Sequence, residues 1–379
     1  MTVLCHSLNM EFSQDGMKTL AVLLVAVAIH MVGFGAIIPV LPFVLRGLGG
    51  GAEAQGLLIS LFSLVQLLSA PLWGALADKY GKPRVVVAGL LLSALGNVAA
   101  YLSTSLIHLA AARAVAGLGG GTLGALQALI ADLSPPERRA SSMALFGMAF
   151  GVGFILGPIL GGITGTLGER VPFLLSVALS LAASAVVTRL PNVRGRLQWN
   201  FKIELGLLSV AVLMLNLSFS MFESLLTYYV ADVFHMSPSQ IGLLMFVIGL
   251  SAVAGQVAVR RLEGRTPAKK AVAVGMAATA FGVSLVALRN VELLYSGAVV
   301  ASIGQLIASS NLFALASNVG GARGLNFGVL QSAGSLGRLI GPASAGLIYT
   351  YTGPSYVFLT SALVALAILP LVLRPLNTE

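Results

Sequence analysis

The sequence predicts an all-α membrane protein with twelve transmembrane helices, arranged as two pseudo-symmetric six-helix bundles. Three observations lead to this fold class: the composition, a regular series of apolar runs, and an internal repeat. Of the 379 residues, 57% are hydrophobic and only 9% are charged, and the mean hydropathy is +0.94. A soluble domain carries about 25% charged residues, so the composition excludes a large soluble domain.

The apolar runs define the predicted helices. About 20 apolar residues cross a bilayer, and only helices or closed barrels satisfy the backbone in lipid. The runs lack the alternating pattern of barrel strands, which leaves helices. Twelve spans are predicted, with approximate limits 20–45, 55–77, 84–104, 106–130, 140–165, 171–190, 204–231, 239–259, 269–288, 292–317, 324–350 and 354–373.

The basic residues predict the orientation of these spans in a cell (inner or plasma) membrane. If both termini are cytoplasmic, 17 of the 22 basic residues lie on that side and three lie outside, Arg46, Arg170 and Arg289. Such a bias is the positive-inside pattern. This orientation accounts for the net charge of +9, so nucleic-acid binding is not needed to explain it. Anionic lipid of the inner leaflet is the expected partner of these basic residues. The cytoplasmic set is Lys18, Lys79, Lys82, Arg84, Arg138, Arg139, Arg189, Arg194, Arg196, Lys202, Arg260, Arg261, Arg265, Lys269, Lys270, Arg323 and Arg374.

An internal repeat divides the chain. Shifting one half by about 186 positions pairs Gly56 with Gly242, and a nearby offset pairs Gly157-Pro158 with Gly341-Pro342, which suggests a duplicated six-helix unit. Two such halves place a substrate site between them near the midplane, and rocking of one half on the other gives alternating access. The predicted organisation is a cytoplasmic tail over 1–19, a bundle over 20–190, a cytoplasmic linker over 191–203 and a second bundle over 204–379.

Three segments of the first half carry distinctive motifs. The loop after span 2 contains Gly74, Asp78, Gly81, Lys82 and Arg84, in which Gly81 suits a turn and Asp78 can pair with a base or a helix N-terminus. Such pairs can break and reform as a conformational latch. The alternative is a solvated charged loop that only sets topology.

Span 4 places an arginine inside the membrane. Helical spacing puts Arg113, Gly117, Gly120, Gly124 and Gln127 on roughly one face. An intramembrane arginine costs about 2.5–3.5 kcal/mol on insertion scales, so it marks either a substrate or relay contact or a residue hydrogen-bonded within the bundle.

Span 5 contains a run of small residues, Gly153, Gly157, Gly161 and Gly162, around Pro158. Small residues four apart permit tight helix packing, and proline removes a backbone donor and can kink the helix. The run is predicted to seal the two halves against leak, with ordinary glycine-rich helix packing as the alternative.

Together these segments resemble the major facilitator superfamily. The loop is similar to the signature between its helices 2 and 3, and the span 4 segment to its second motif, with Ala116 where the family usually has Gln. The span 5 run matches the antiporter motif of the 12-helix drug:proton antiporter branch, which includes tetracycline exporters. In the second half the copies are degenerate, and Gly264 stands where the loop signature has Asp. The resemblance implies proton-coupled efflux by alternating access.

A coupling group must titrate inside the membrane, and Glu223 is the acidic residue that lies well within a predicted span. Asn216, Ser220, Glu223 and Thr227 form one polar stripe on span 7, with Phe219 beside it. The alternative role for Glu223 is a structural ion pair with Arg338. His30 in span 1 is the second candidate for proton coupling, or else a hydrogen-bonded packing residue. The candidates for substrate contact are Asn216, Phe219, Glu223 and Thr227 on span 7, together with Arg113, Gln127, Gln305, Asn311 and Arg338.

The predicted function is secondary active transport, with proton-coupled efflux of a small amphipathic compound or drug as the first hypothesis. A sugar or metabolite uniporter or symporter is the second, because fold does not dictate substrate. A receptor or an enzyme is disfavoured, since no nucleotide loop, metal-ligand cluster or nucleophile motif is present. We therefore expect a monomeric carrier without metal or cofactor, whose partners are its small-molecule substrate, protons and membrane lipid.

Overall fold

The structure is a computed structural model that describes residues 14–134, 139–190, 206–262, 266–317 and 323–370. Within these ranges the chain is helical and contains no strand. The predicted linker, most of the predicted N-terminal tail and Gly264 lie outside the described residues.

Fourteen helices make up the described part of the chain. They are α1 (Gln14–Ile37), α2 (Leu41–Gly47), α3 (Ala52–Tyr80), α4 (Lys82–Tyr101), α5 (Leu106–Gly120), α6 (Leu123–Leu133), α7 (Arg139–Gly165), α8 (Val171–Val187), α9 (Gly206–Val233), α10 (Pro238–Leu262), α11 (Ala268–Val286), α12 (Val291–Ser317), α13 (Arg323–Thr352) and α14 (Pro354–Leu366).

The predicted fold class is confirmed, although two of the predicted spans are each divided into two helices. Span 1 breaks between α1 and α2 at a turn that contains Pro39, a residue without an amide hydrogen. Span 4 breaks between α5 and α6 at Gly121 and Thr122. In the described ranges, nine segments are long and apolar enough to cross a membrane, and α8 and α14 are shorter apolar helices. The chain is thus a membrane protein.

Helix packing follows the same plan in both halves. In the first half α1 packs on α7, and in the second half α9 packs on α13. The pair α4 and α5 likewise corresponds to the pair α11 and α12. The halves meet through α3 against α13 and through α7 against α10, so the contact between them is also pseudo-symmetric.

Apolar side chains hold each half together. One cluster centres on the buried rings of Phe222, Tyr229 and Phe358, which join α9 to α14. The ring centroids of Tyr229 and Phe358 lie 4.7 Å apart in an edge-to-face arrangement, which is a favourable aromatic geometry. These contacts fix the orientation of α9, the helix that carries the predicted polar stripe.

Candidate functional site

Among the described residues, hydrogen bonds between the two halves concentrate at one end of the bundle. This end, termed the closed end, comprises the connections 48–51, 102–105, 166–170, 234–237 and 287–290 and the helix segments that adjoin them. Ser60 on α3 bonds twice to α13: its hydroxyl donates to the Leu339 carbonyl at 2.5 Å and accepts from the Ala343 amide at 2.9 Å.

The glycines of the sequence repeat make equivalent contacts at the closed end. A Cβ on Gly242 of α10 would lie 2.5 Å from the carbonyl oxygen of Pro158 on α7. A Cβ on its repeat partner Gly56 of α3 would overlap the carbonyl oxygen of Pro342 on α13. Each repeated glycine therefore packs against the repeated Gly-Pro element of the other half.

The span 5 motif faces two neighbours at once. Gly157 lies against α1, where a Cβ would be 2.7 Å from the Val32 carbonyl oxygen, and Gly153 and Gly161 contact the same helix. Gly162 turns instead toward α10, where a Cβ would be 2.7 Å from the Pro238 carbonyl oxygen. The motif thus joins a contact within the first half to a contact between the halves.

A charged cluster closes the outer rim of this end. Arg46 donates to the Asp232 carboxylate at 2.9 Å and to the Ala231 carbonyl at 3.3 Å. Its guanidinium also lies 5.1 Å from the ring centroid of Tyr228. The Tyr349 hydroxyl donates to the second carboxylate oxygen of Asp232 at 2.7 Å. The cluster links α2 of the first half to α9 and α13 of the second.

The polar stripe on α9 divides into different environments. Asn216 bonds Arg338, and the Ser220 hydroxyl donates to the Gly337 carbonyl of α13 at 3.0 Å. Thr227 is buried and accepts a hydrogen bond from Gln55 of the first half at 3.1 Å. Glu223 lies between these two groups and is half-buried.

Glu223 and Arg338 do not form the ion pair that the sequence left open as an alternative. The Arg338 guanidinium donates to Asn216 Oδ1 at 2.9 Å and to Ser335 Oγ at 3.0 Å, and its side chain is exposed. Among the described residues Glu223 has no hydrogen bond and no oppositely charged nitrogen within 4.0 Å.

Arg113 is a packing residue in this structure. It is 7% exposed, and its guanidinium donates to Asn97 Oδ1 at 2.7 Å. The Asn97 amide in turn donates to Ser176 Oγ at 2.9 Å, so the chain of bonds joins α5, α4 and α8. The guanidinium also lies 5.7 Å and 5.8 Å from the ring centroids of Phe62 and Phe173. A direct substrate contact for Arg113 stays a prediction.

A series of half-buried phenylalanines runs across the first half. Phe34 lies 5.5 Å from Phe62 and 5.9 Å from Phe154 between ring centroids, and Phe154 stacks on Phe150 at 5.0 Å. The rings come from α1, α3 and α7. They give the first half an apolar, aromatic interior next to the contact with α10.

Five other predicted residues lie on α1, α6, α9 and α12. His30 on α1 is 9% exposed, and its Nδ1 is buried without a partner among the described residues. Gln305 Oε1 is likewise buried and has no hydrogen-bond partner among the described residues. Asn311 donates to the Ile307 carbonyl at 2.9 Å, Gln127 is half-buried on α6, and Phe219 packs on Phe222 at 5.8 Å.

The predicted latch lies at the opposite end of the bundle. Gly81 alone connects α3 to α4, and its φ of +99° explains why glycine occupies the turn. Asp78 is half-buried near the end of α3, Lys82 is buried at the start of α4, and Arg84 is exposed. A Cβ on Gly74 would meet no atom within 4 Å, so close helix packing does not require this glycine here.

Sequence reasoning missed two buried amides that organise the site. Gln55 is fully buried and joins α3 to α9, and Asn97 holds Arg113. Asn97 is a polar residue in an apolar span, which is a usable signal for a buried hydrogen bond. Gln55 is the first residue of predicted span 2, and its sequence position gives no signal of a bond between the halves.

Comparisons with known proteins agree with this architecture. The profile of the Major Facilitator Superfamily matches residues 23–203 and 208–379. Quinolone resistance protein NorA of Staphylococcus aureus (strain MSSA476) is 27% identical over 243 residues, which cover 60% of this chain and 62% of NorA. The chain therefore matches less than two thirds of that relative. Tetracycline resistance protein, class C, of Escherichia coli is 30% identical over 292 residues, which cover 71% of this chain and 74% of that protein.

Solved transporter structures share the fold. The human organic anion transporter MFSD10 (TETRAN) superposes with a TM-score of 0.73 at 23% identity, over 95% of this chain and 100% of its own. The nucleoside transporter NupG gives a TM-score of 0.79 at 13% identity, over 93% of this chain and 98% of its own. With the profile covering both halves, the chain belongs to the major facilitator superfamily of membrane transporters.

Proposed function

We propose that this protein exports a small amphipathic compound in exchange for protons, by alternating access between its two halves. The observation that carries the proposal is the position of Glu223. Its carboxyl group lies on α9 between the Arg338 contact and the Thr227 contact with the first half, without a partner among the described residues. An ionisable group within a membrane span is a functional hypothesis by default, because an unused one is costly there.

The charge distribution supports an orientation with both termini in the cytoplasm of the cell. Arg46 lies in the last turn of α2 at the closed end, Arg170 donates to the Tyr101 carbonyl there, and Arg289 bonds Ser355 at the start of α14. These are the three arginines that the positive-inside pattern assigns to the outside. In this orientation the structure represents a state that is closed toward the exterior.

The walls of the site support an amphipathic substrate. The half-buried phenylalanines of the first half offer apolar contact, while α9 and α13 offer Asn216, Glu223 and Arg338. Phe219, Gln127, Gln305 and Asn311 are proposed as further contacts, and Thr227 joins them once its bond to Gln55 breaks. The names of the quinolone and tetracycline resistance relatives support a drug as the exported compound.

Two further assignments belong to the same mechanism. The span 5 glycines Gly153, Gly157, Gly161 and Gly162 with Pro158 act as the seal, because they pack against both α1 and α10. His30 is a second group for proton coupling, supported by its buried, unpartnered Nδ1. The latch is Gly74, Asp78, Gly81, Lys82 and Arg84.

The proposal is tested by uphill transport in proteoliposomes. An imposed pH gradient should drive accumulation of fluorescent amphipathic compounds, and Glu223→Gln should abolish it while leaving downhill equilibration intact. Glu292→Gln is the matched control, since Glu292 is exposed in the first turn of α12. His30→Gln measured in parallel assigns the second group. Accumulation by the Glu223→Gln variant at the wild-type level would refute the role of Glu223.

A different outcome would favour the second candidate function. If no compound accumulates under a pH gradient while a labelled sugar or metabolite equilibrates, the protein is a uniporter. Accumulation of a metabolite in the direction of proton flow would identify a symporter. The presence of a single carboxylate within the described polar stripe is the observation that keeps this candidate open.

A further inference from the structure

Gln55 makes the contact between the halves that lies closest in sequence to Glu223. Its Nε2 donates to the Ser224 carbonyl at 2.6 Å and to Thr227 Oγ1 at 3.1 Å. Both acceptors belong to the second half, whereas Gln55 lies in the first turn of α3. The side chain is fully buried, so these bonds form away from solvent.

The two acceptors lie in the helical turn that directly follows Glu223. Ser224 follows Glu223 directly, and Thr227 lies four residues after it, one turn farther along α9. A single amide therefore fixes this turn against α3. A change of position or tilt of the Glu223 turn must alter the bond lengths to Gln55, since helix backbone moves as a unit.

The contact is also suited to being broken. Gln55 Oε1 is buried and has no hydrogen-bond partner among the described residues. A buried acceptor without a partner has lost its hydrogen bonds to water, which costs free energy. This cost offsets part of the stability that the two Nε2 hydrogen bonds contribute. The neighbouring Gly56 packs against backbone atoms of Pro342 and Gly346.

We propose that Gln55 is a positioning residue that transmits the state of Glu223 to the closed end. This inference rests on the proposed role of Glu223. When the Glu223 turn shifts, the bonds to Gln55 weaken and α3 separates from α9, which opens this end of the bundle. In the reverse direction, closure through Gln55 returns the Glu223 turn to the position seen here.

The test measures how a neutral residue at position 223 changes the conformational equilibrium. Spin labels at Leu102→Cys and Leu288→Cys report the distance across the closed end, because both side chains are exposed there, at 64% and 62%, and lie in different halves. The background is Cys5→Ser, which removes the one native cysteine. The ratio of long to short distances is measured for wild type and Glu223→Gln, each with and without Gln55→Met.

Ser60→Ala is the matched control. Ser60 lies on the same helix and also bonds across the halves, but its partners are on α13 rather than α9. Gln55→Met retains the length of the side chain and removes both bonds, and Gln55→Leu is the second variant if the first does not fold. Thermal melting in detergent verifies folding of every variant.

We expect Glu223→Gln to change the distance ratio by about tenfold in wild type and in Ser60→Ala. In Gln55→Met the same substitution should change the ratio less than about twofold, because the link is cut. A tenfold change that persists in Gln55→Met, or a ratio that Glu223→Gln leaves unchanged in wild type, would overturn the proposal.

The outcome is separable from that of the proposed function. The distance measurement requires neither substrate nor a proton gradient. If protons drive accumulation but Gln55→Met and Glu223→Gln change the distance ratio additively, the role of Gln55 is refuted and proton-coupled export is retained. If protons drive no accumulation but Gln55→Met removes the effect of Glu223→Gln on the distance ratio, the role of Gln55 is retained and proton-coupled export is refuted.

Discussion

Adding one methyl group at Gly162 should open the closed end. Its Cβ would lie 2.7 Å from the Pro238 carbonyl oxygen and 3.1 Å from the Ser239 Cα. The first distance is below the 3.0 Å minimum for Cβ contacts, and the second is close to that minimum. Both neighbours are backbone atoms of α10, so no side-chain rotation relieves the overlap. Separation of α7 from α10 does relieve it.

The size of the effect follows from the kind of overlap. Overpacking by one or two carbons costs about 1–3 kcal/mol. Because the strain exists only while the halves are in contact, this free energy acts on the equilibrium between closed and open states. The expected change in that equilibrium for Gly162→Ala is about 5- to 150-fold toward the open state.

Two other glycines of the same helix provide controls. Gly151→Ala should have no effect, since no atom lies within 4 Å of the added Cβ. Gly161→Ala should instead lower the melting temperature and leave the equilibrium unchanged, because its overlap is with the Ala36 carbonyl inside the first half. The Leu102→Cys and Leu288→Cys labels report the equilibrium. A distance distribution for Gly162→Ala that matches that of Gly151→Ala would show that the contact of Gly162 with α10 does not hold the end closed.

Two further variants test the charged and polar networks. Asp232→Asn removes the charge that holds Arg46 and Tyr349. Because the side chains of Arg46 and Asp232 are 35% and 45% exposed, we expect a shift of no more than about 1 kcal/mol toward the open state. In high salt no shift should remain, because salt screens the pair. A shift that is equally large in high salt would contradict this. Asn97→Leu leaves the Arg113 guanidinium buried without its acceptor and should lower stability by about 1.5–3 kcal/mol, measured as a loss of melting temperature. An unchanged melting temperature would show that Arg113 does not depend on this bond.

The transmembrane helices could be predicted from the sequence because lipid leaves the backbone few alternatives. The interruption of the first span could not. A turn of three residues at Pro39 sits inside an apolar run, and the length of that run reveals no break. The same holds for the helix break at Gly121, where an added Cβ would overlap Ser69 and Trp73 from α3.

The internal repeat predicted which glycines matter but not what they contact. Pairing Gly56 with Gly242 by sequence offset says only that they occupy equivalent positions. The structure adds that each packs on a Gly-Pro element of the opposite half, a relation that spans the whole chain. Local spacing carries no information on such distant contacts.

The site was predictable in part for a similar reason. Helical spacing identified the polar stripe of Asn216 and Glu223, since residues on one face of a helix follow from its period. The partner of Asn216 was not assigned. The alternative role of Glu223, an ion pair with Arg338, is wrong in this structure because Arg338 bonds Asn216 instead. The choice among nearby polar groups depends on rotamers and distances that sequence does not contain.

Proton exchange through Glu223 is tested by following the internal pH of proteoliposomes when substrate is added outside. A pH dye sealed inside reports proton movement, and protein-free liposomes correct for passive permeation of the compound. If the protein exchanges substrate for protons through Glu223, substrate entry will raise the internal pH, and Glu223→Gln will abolish the rise. A fall in internal pH on substrate entry, or entry with no change in pH, would contradict the account.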